Sequence, residues 1–190
     1  MDSKSYKTYS NFLKSLSLKL TRFYYKKLDK NFAVYNKLKG KGYDPVTTSD
    51  KAFEKFIRKE IKERFPTHQI IGEEFGKSNN KSEFSWIIDP IDGTINFMHG
   101  IPHFAISIAL RINGELKSGL IFDPIKNEIF YAEKNSGAYF NNHRVRVSSK
   151  IDLEECLFSS NSYGVKFATP NLNMRNTGCA ALDLAYVGSA

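Results

Sequence analysis

The sequence contains little cysteine and no long apolar run. Two cysteines, Cys156 and Cys179, in 190 residues are too few for a disulfide scaffold. No stretch approaches the roughly 18 uncharged residues that a membrane helix needs. The N-terminus mixes Lys and Ser with apolar positions, which is unlike a signal peptide. We therefore expect a soluble cytoplasmic protein with reduced thiols and no membrane partner.

The composition is that of a packed globular protein. Hydrophobic residues make up 41% of the chain, aromatic residues 14% and charged residues 25%, which excludes disordered, collagen-like and coiled-coil classes. The length fits one ordinary domain. Since no repeat or low-complexity linker divides the chain, we interpret residues 1–190 as a single domain.

Positive charge exceeds negative charge. The chain has 28 Lys+Arg and 20 Asp+Glu, so its net charge is +8. Clustered lysines can bind nucleic acid by neutralising phosphates, but no zinc-finger, RNP or helix-turn-helix pattern accompanies them. Much of the excess lies near the N-terminus, partly on a predicted amphipathic helix, and a solvated helix face explains it more simply.

Apolar periodicity predicts helices first and then a sheet. Residues 9–28 and 51–65 have apolar positions three and four apart, which is typical of helices packed on one face. Residues 44–50 are suited to capping the second helix, and Pro66 ends it. Residues 178–187 suggest a last helix. Apolar runs, alternation and Asn-rich turns predict the strands, which lie at residues 68–72, 84–89, 104–112, 116–122, 125–133, 137–140, 145–147 and 157–160.

One segment concentrates the chemistry. A buried strand ends at Asp89, the chain turns at Pro90, and a second carboxylate, Asp92, precedes Gly93 and Thr94. Carboxylate oxygens close together are suited to Mg²⁺, which also keeps waters and shares phosphate oxygens with its substrate. Gly93 allows close backbone approach, and the amides of Gly93 and Thr94 can face a phosphate oxygen.

A second strand also ends in carboxylates. Ile70-Ile71-Gly72 is followed by Glu73 and Glu74. If two adjacent strands bring Glu73, Asp89 and Asp92 to one edge of the sheet, three negative charges meet there. That arrangement is unfavourable unless cations neutralise it, so the combination predicts a divalent metal site.

These motifs resemble the inositol monophosphatase family of Mg²⁺-dependent, lithium-sensitive phosphomonoesterases. The similar strings, in order along the chain, are IIGEEFG, WIIDPIDGTINFMHGIPHFAISIAL, GLIFDP and RNTGCAALDLAYV. The resemblance implies an α+β class with the layered αβαβα sugar-phosphatase fold, a largely antiparallel sheet and a homodimer. It also implies two or three Mg²⁺ ions as cofactor.

The resemblance implies a set of site residues. Glu73 and Asp89 correspond to ligands of a first Mg²⁺ together with the Ile91 carbonyl, while Asp89 bridges to a second ion that Asp92 also binds. Thr94 and Glu73 resemble the pair that orients and deprotonates the attacking water. The remaining positions that match the family are the outer residues Asp50 and Lys39 and the substrate-contacting residues Gly93, Thr94, Gly178, Cys179 and Ala180.

The implied function is Mg²⁺-dependent hydrolysis of a small phosphate monoester, an inositol or sugar phosphate, by a metal-activated water. Two alternatives stay open: a nucleic-acid or protein-binding module on the same scaffold, and a 3′(2′),5′-bisphosphate nucleotidase. In the family, a Trp-Asp motif after the last helix supplies a further metal ligand. The single tryptophan here, Trp86, belongs to the Asp89 strand. We expect the chain to be the N-terminal portion of a longer enzyme, with a naturally shortened relative as the alternative.

Overall fold

The computed structural model describes residues 3–28, 32–38, 44–160 and 172–189. Within these ranges the α-helices are α1 (Ser3–Leu28), α2 (Thr48–Arg64), α3 (Thr94–Met98) and α4 (Ala180–Val187), with a 3₁₀ turn at Leu153–Glu155. None of the described helices combines the length and the apolar character needed to cross a membrane. The predicted outer residue Lys39 lies outside the described ranges.

The strands form one large sheet and two small ones. They are β1 (Val34–Asn36), β2 (Pro45–Thr47), β3 (Gln69–Gly72), β4 (Gly76–Lys77), β5 (Phe84–Asp92), β6 (Ala105–Ile112), β7 (Glu115–Asp123), β8 (Glu128–Glu133), β9 (Gly137–Phe140), β10 (His143–Val145), β11 (Leu157–Ser159) and β12 (Asn173–Arg175). The large sheet has the order β10-β9-β8-β7-β6-β5-β3-β4 and is antiparallel except for the β3–β5 pair. The predicted α+β class with a largely antiparallel sheet is confirmed.

Helices α1 and α2 cover one face of this sheet because each has a stripe of apolar residues. Leu13, Leu16 and Leu20 of α1 are fully buried, and α2 contributes an equivalent stripe at four-residue spacing. Trp86 of β5 lies in the same cluster. Each fully buried side chain of this size contributes about 1.5–3 kcal/mol.

The opposite face of the sheet carries α4. Neighbouring residues of a strand point to opposite faces, so Leu120 faces the α1–α2 layer while Ile121 contacts the α4 cluster. Leu182 is fully buried in that cluster, whereas Leu184 is 72% exposed. The described residues therefore form a helical layer, a sheet and a second helical layer.

Helix α2 begins earlier than the sequence pattern predicted. Thr47 Oγ1 accepts hydrogen bonds from the Ser49 and Asp50 amides at 3.1 and 3.3 Å, and Asp50 Oδ2 accepts from the Thr47 amide at 2.8 Å. This reciprocal capping box starts the helix at Thr48, so the predicted start at residue 51 was wrong. Helix α1 also begins earlier than predicted, at Ser3. Helix α4 begins later than predicted, after Gly178, whose φ of +78° is left-handed.

The predicted turns are confirmed better than the strand ends. Asn113 and Gly114 have φ values of 51° and 81°, as a type I′ turn requires. Strand β8 begins at Glu128 because Asp123 Oδ1 accepts from the Ile125 and Lys126 amides and keeps those residues in a turn. Strand β10 is shifted two residues towards the N-terminus of its predicted range. The unpredicted strands β1, β2, β4 and β12 have only two or three residues each, which is too short for a readable alternation.

Candidate metal centre

The parallel pairing of β3 and β5 brings carboxylates from the two strand ends together. The register pairs Gly72 with Ile88, so Glu73 follows one strand beside Asp89 of the other. The Glu73 amide donates to the Ile88 carbonyl at 3.2 Å. A bulge between Asp89 and Asp92 extends β5 three residues beyond its predicted end, because the chain continues to pair with β6 after the irregularity.

Electrostatic crowding is greatest at Asp89. Burial, then the negative charges of Glu73 and Asp92, raises the pKa of the Asp89 carboxyl from its ordinary value to about 8. A hydrogen bond between the Glu73 and Asp89 carboxyls raises the pKa of Asp89 further. The Ile91 amide donates to Asp89 Oδ1 at 3.2 Å, and this hydrogen bond lowers the same pKa. Glu73 and Asp92, which were predicted to meet Asp89 at one sheet edge, therefore both lie close enough to repel its charge.

Lys37 places its ammonium beside the carboxylate cluster formed by Glu73, Asp89 and Asp92. Its ammonium lies 2.5 Å from Glu73 Oε1 and 2.6 Å from Glu74 Oε1. Burial alone would lower the pKa of Lys37, but the two carboxylates raise it above its ordinary value. The resemblance to the family implied Lys39 for this neighbourhood, and no spacing signal distinguishes that lysine from Lys37.

Asp92 joins the end of β5 to the start of α4. Its Oδ2 accepts a hydrogen bond from the Ala181 amide at 2.5 Å and one from Cys179 Sγ at 3.1 Å. Burial, with the charge of Asp92 adding to it, raises the pKa of the Cys179 thiol. The predicted substrate-contacting segment, Gly178 to Ala180, therefore lies directly against a predicted metal ligand.

The backbone at Gly93 packs too closely for a side chain. Its φ is +93°, and an added Cβ would lie 3.2 Å from the carbonyl oxygens of Gly178 and His103. Asn96, which is buried and was not predicted, donates to the carbonyls of His103 and Thr177 at 2.7 and 2.8 Å. Together these contacts hold the turn after β5 against the segment before α4.

Thr94 lies between the turn at residues 89–93, called here the metal turn, and α2. Its Oγ1 lies 3.0 Å from the Ile91 carbonyl and 3.2 Å from Asp50 Oδ1, so its single hydrogen is donated to one of the two at a time. Burial raises the pKa of Asp50, while hydrogen bonds from Thr47 and Thr94 act against the shift. The structure thus brings Asp50, Ile91 and Thr94 together.

The donor set at these strand ends fits a hard cation. Within the described ranges, no group of three or more His, Cys, Asp and Glu side chains is arranged to hold a metal ion. Mg²⁺ needs fewer protein ligands, since it binds through one or two carboxylates and completes its octahedron with waters and phosphate oxygens. A divalent cation relieves the crowding that raises the pKa of the Asp89 carboxyl.

Comparisons with known proteins identify the family to which this chain is related. A sequence profile of the inositol monophosphatase family matches residues 7–189. The fructose-1,6-bisphosphatase/inositol-1-monophosphatase of Thermotoga maritima is 46% identical over 154 residues, which are 77% of this chain and 59% of that protein. The Nus factor SuhB of Haemophilus influenzae is 42% identical over 163 residues, 77% of this chain and 60% of that protein. The chain thus spans about three fifths of the length of these relatives.

Solved structures share the fold. The extragenic suppressor protein suhB from Bartonella henselae has a TM-score of 0.80 and 34% identity, covering 95% of this chain and 74% of that one. An IMPase/NADP phosphatase complexed with Mg²⁺ and phosphate has a TM-score of 0.77 at 21% identity, over 94% of this chain and 70% of that one. At that identity the likeness shows the fold alone, a fold that has been solved with a divalent metal and phosphate bound.

Proposed function

This chain belongs to the inositol monophosphatase family, and on that premise we propose that it hydrolyses a small phosphate monoester, an inositol or sugar phosphate, with Mg²⁺. The observation that carries the proposal is the position of Asp89, buried between the charges of Glu73 and Asp92, with its pKa raised to about 8. Such a cluster is unfavourable by itself and favourable with bound cations.

Four groups of the chain would hold two or three Mg²⁺ ions. They are the carboxylates of Glu73, Asp89 and Asp92 and the carbonyl of Ile91. When bound, Mg²⁺ lowers the pKa of a coordinated water and neutralises the charge that develops on the leaving oxygen.

The chain's own residues would orient the reaction. Thr94 lies within hydrogen-bond distance of Ile91 and Asp50. Together with Glu73, its hydroxyl would orient the attacking water and take its proton while passing its own hydrogen to the Asp50 carboxylate. The backbone amides of Gly93 and Thr94 would bind phosphate oxygens. The segment Gly178 to Ala180, tied to Asp92, would contact the substrate.

Phosphate release in the presence of Mg²⁺ tests this proposal. We expect release from inositol or sugar monophosphates that stops when the metal is chelated and that Asp92→Asn abolishes. Asp152→Asn, at the exposed position just before the 3₁₀ turn, is the matched control and should keep full activity. Preference for an adenosine 3′,5′-bisphosphate in the same panel would assign the bisphosphate nucleotidase instead. Absence of release from every ester would refute catalysis by this chain.

A nucleic-acid or protein-binding role is the second candidate, and a surface of α2 favours it. Lys55, Lys59 and Lys62 line an open groove of about 680 Å³ beside Phe75, which is half exposed. A basic groove next to an exposed aromatic ring is suited to single-stranded nucleic acid, and several relatives are named Nus factor SuhB. Salt-dependent RNA binding that survives Asp92→Asn but not charge removal at the three lysines would support this role.

We also propose a homodimer in the cytoplasm. Family membership supports the dimer, and both cysteines are free thiols, as expected in a reducing compartment. Analytical ultracentrifugation of the purified chain tests the oligomeric state directly.

A further inference from the structure

A fully buried carboxylate, Glu54 of α2, lies under the turn that follows β3. Its side chain has no exposed surface. Oε2 accepts the Glu74 amide at 2.6 Å, and Oε1 accepts the Phe75 amide at 3.2 Å. Oε1 also accepts from Arg58 Nε at 2.6 Å, one helical turn along α2. Neither the sequence motifs nor the proposed mechanism assigns Glu54 a role.

Burial of this charge is expensive unless it is compensated. An apolar side chain of similar volume would fill the same space, but it would leave the amides of Glu74 and Phe75 without acceptors. Each buried unpaired amide costs about 1–3 kcal/mol. The Glu54 carboxylate therefore supplies the acceptors that the turn above it needs. The positive charge of Arg58 neutralises Glu54, so that Glu54 does not add to the negative charge of the carboxylate cluster.

The Glu54 carboxylate lies close against the last residue of β3. An added Cβ at Gly72, the last residue of β3, would overlap the Glu54 carboxylate. Gly72 does not have a positive φ, so its lack of a side chain serves this close approach and not a special backbone conformation. The carboxylate thus packs directly against the backbone that leads into Glu73.

Hydrogen bonds from neighbouring elements hold the backbone of four consecutive residues, 73–76. The Glu73 amide is bound by Ile88, and the next two amides are bound by Glu54. The Gly76 carbonyl accepts from Arg58, whose guanidinium also lies 5.9 Å from the Phe75 ring. The backbone on both sides of the Glu73 side chain is consequently fixed relative to α2 and β5.

We propose that Glu54 is a positioning residue of the metal centre: by fixing the turn from Glu73 to Gly76, it keeps the Glu73 carboxylate against Asp89 and thereby sets the affinity for a divalent cation. This inference rests on the proposed function. Groups that orient metal ligands without touching the metal typically change metal affinity 10–100-fold when replaced. A residue that only stabilised the fold would change the unfolding transition and leave the affinity of the folded protein unchanged.

The test compares Glu54→Gln with Glu60→Gln in the purified chain. Glu60 is on the same helix, is largely buried and forms an ion pair with Lys19 away from the carboxylate cluster. Mn²⁺ binding is measured by electron paramagnetic resonance, and amide hydrogen exchange of residues 73–76 is measured without metal. We expect Glu54→Gln to weaken Mn²⁺ binding about tenfold or more and to speed exchange at Glu74 and Phe75, with Glu60→Gln like wild type in both.

Two further variants separate the possible failures. Gly72→Ala should weaken Mn²⁺ binding in the same way, since it displaces the Glu54 carboxylate while leaving it present, and it covers the case in which Glu54→Gln does not fold. Glu73→Gln reports on the metal site itself. If Glu73→Gln abolishes Mn²⁺ binding while folded Glu54→Gln and Gly72→Ala bind as wild type, the role of Glu54 is refuted and the metal site stands. If Glu73→Gln changes nothing, the proposed metal site fails, and this inference fails with it.

Discussion

The carboxylate of Asp92 accepts a 2.5 Å hydrogen bond from the backbone amide of Ala181, 89 residues later in the chain. The acceptor ends β5, and the donor lies in the first turn of α4. A carboxylate at that place satisfies one of the amides that a helix start leaves without an intrahelical partner. Asp92 thus stabilises α4 and is at the same time a proposed metal ligand.

These two roles can be separated by comparing Asp92→Asn with Asp92→Ala. Both changes remove the charge, but the asparagine side chain keeps an oxygen that can accept from Ala181. We expect the alanine variant to be less stable than the asparagine variant by about 1 kcal/mol in metal-free urea denaturation. Both variants should lose Mg²⁺-dependent phosphate release. Equal stability of the two would show that the contact with Ala181 contributes nothing to α4.

The stability of the metal-free chain should fall as pH rises towards 8. Burial and the charges of Glu73 and Asp92 raise the pKa of Asp89 from 3.8 to about 8. Between these values the folded chain holds a proton that the unfolded chain has lost, so the free energy of unfolding decreases with increasing pH.

Asp89→Asn removes this titration and provides the reference. Unfolding free energies are measured by urea denaturation in chelator. The value for wild type should fall relative to that for Asp89→Asn from about pH 5 to pH 8, and the difference should then level off. Added Mg²⁺ should restore the wild type most at the upper end of that range, because the ionised carboxylate binds it. A pH-independent difference would contradict the crowding of the three carboxyl groups.

Asn96→Ala should weaken the contact between the metal turn and the segment before α4. The buried amide donates to the carbonyls of His103 and Thr177, and its loss leaves both without this donor. We expect a loss of about 2 kcal/mol in unfolding free energy and a raised KM for the phosphate ester.

Asn80→Ala is the matched control for that change. Its side-chain amide also donates to two carbonyls, those of Thr67 and His68, at 3.0 and 2.9 Å, but at an exposed position remote from Asp92. Steady-state kinetics should show an unchanged KM for Asn80→Ala. An equal KM increase in both variants would mean that Asn96 has no specific effect on substrate binding.

Lys37→Met should make the stability of the chain depend more strongly on bound Mg²⁺. The ammonium neutralises part of the charge of Glu73 and Glu74, so its removal should lower metal-free stability by about 1 kcal/mol. Mg²⁺ binding should tighten, because a competing cation has been removed from beside the site. Thermal unfolding with and without Mg²⁺ measures both effects.

Lys19→Met supplies the comparison for Lys37. Lys19 forms an ion pair with Glu60 between α1 and α2, and its replacement should leave the shift in unfolding temperature on adding Mg²⁺ unchanged. High salt should reduce the difference between Lys37→Met and wild type, since screening weakens the partly exposed pair. A smaller Mg²⁺ shift in Lys37→Met would show that the lysine assists metal binding instead of competing with it.

Local patterns in the sequence predicted much of the fold. The apolar stripes of α1 and α2 lie in the core as expected, and the Asn113–Gly114 turn has the predicted backbone. These features depend on neighbouring residues, whose spacing determines which side chains share a face. Element ends were less predictable, because the start of α2 depends on the reciprocal hydrogen bonds of Thr47 and Asp50.

The candidate site was predictable where strands end in carboxylates. Glu73, Asp89 and Asp92 could be identified because each follows or ends an apolar run, and the pairing of β3 with β5 brings the two ends together. Glu54 gave no such signal, since one more acidic residue on a charged helix is usually solvated.

The sequence alone therefore determined which carboxylates, turns and apolar faces the protein has, because those depend on residue type and short-range spacing. Only the tertiary structure decided that Glu54 binds a turn 20 residues away, that Lys37 meets Glu73 across 36 residues, and that Asp92 caps α4 across 89. The physical reason is that a hydrogen bond requires its two groups to lie within about 3 Å of each other in a favourable orientation. Residues so far apart in the chain reach that geometry only through the sheet register and the packing of whole helices.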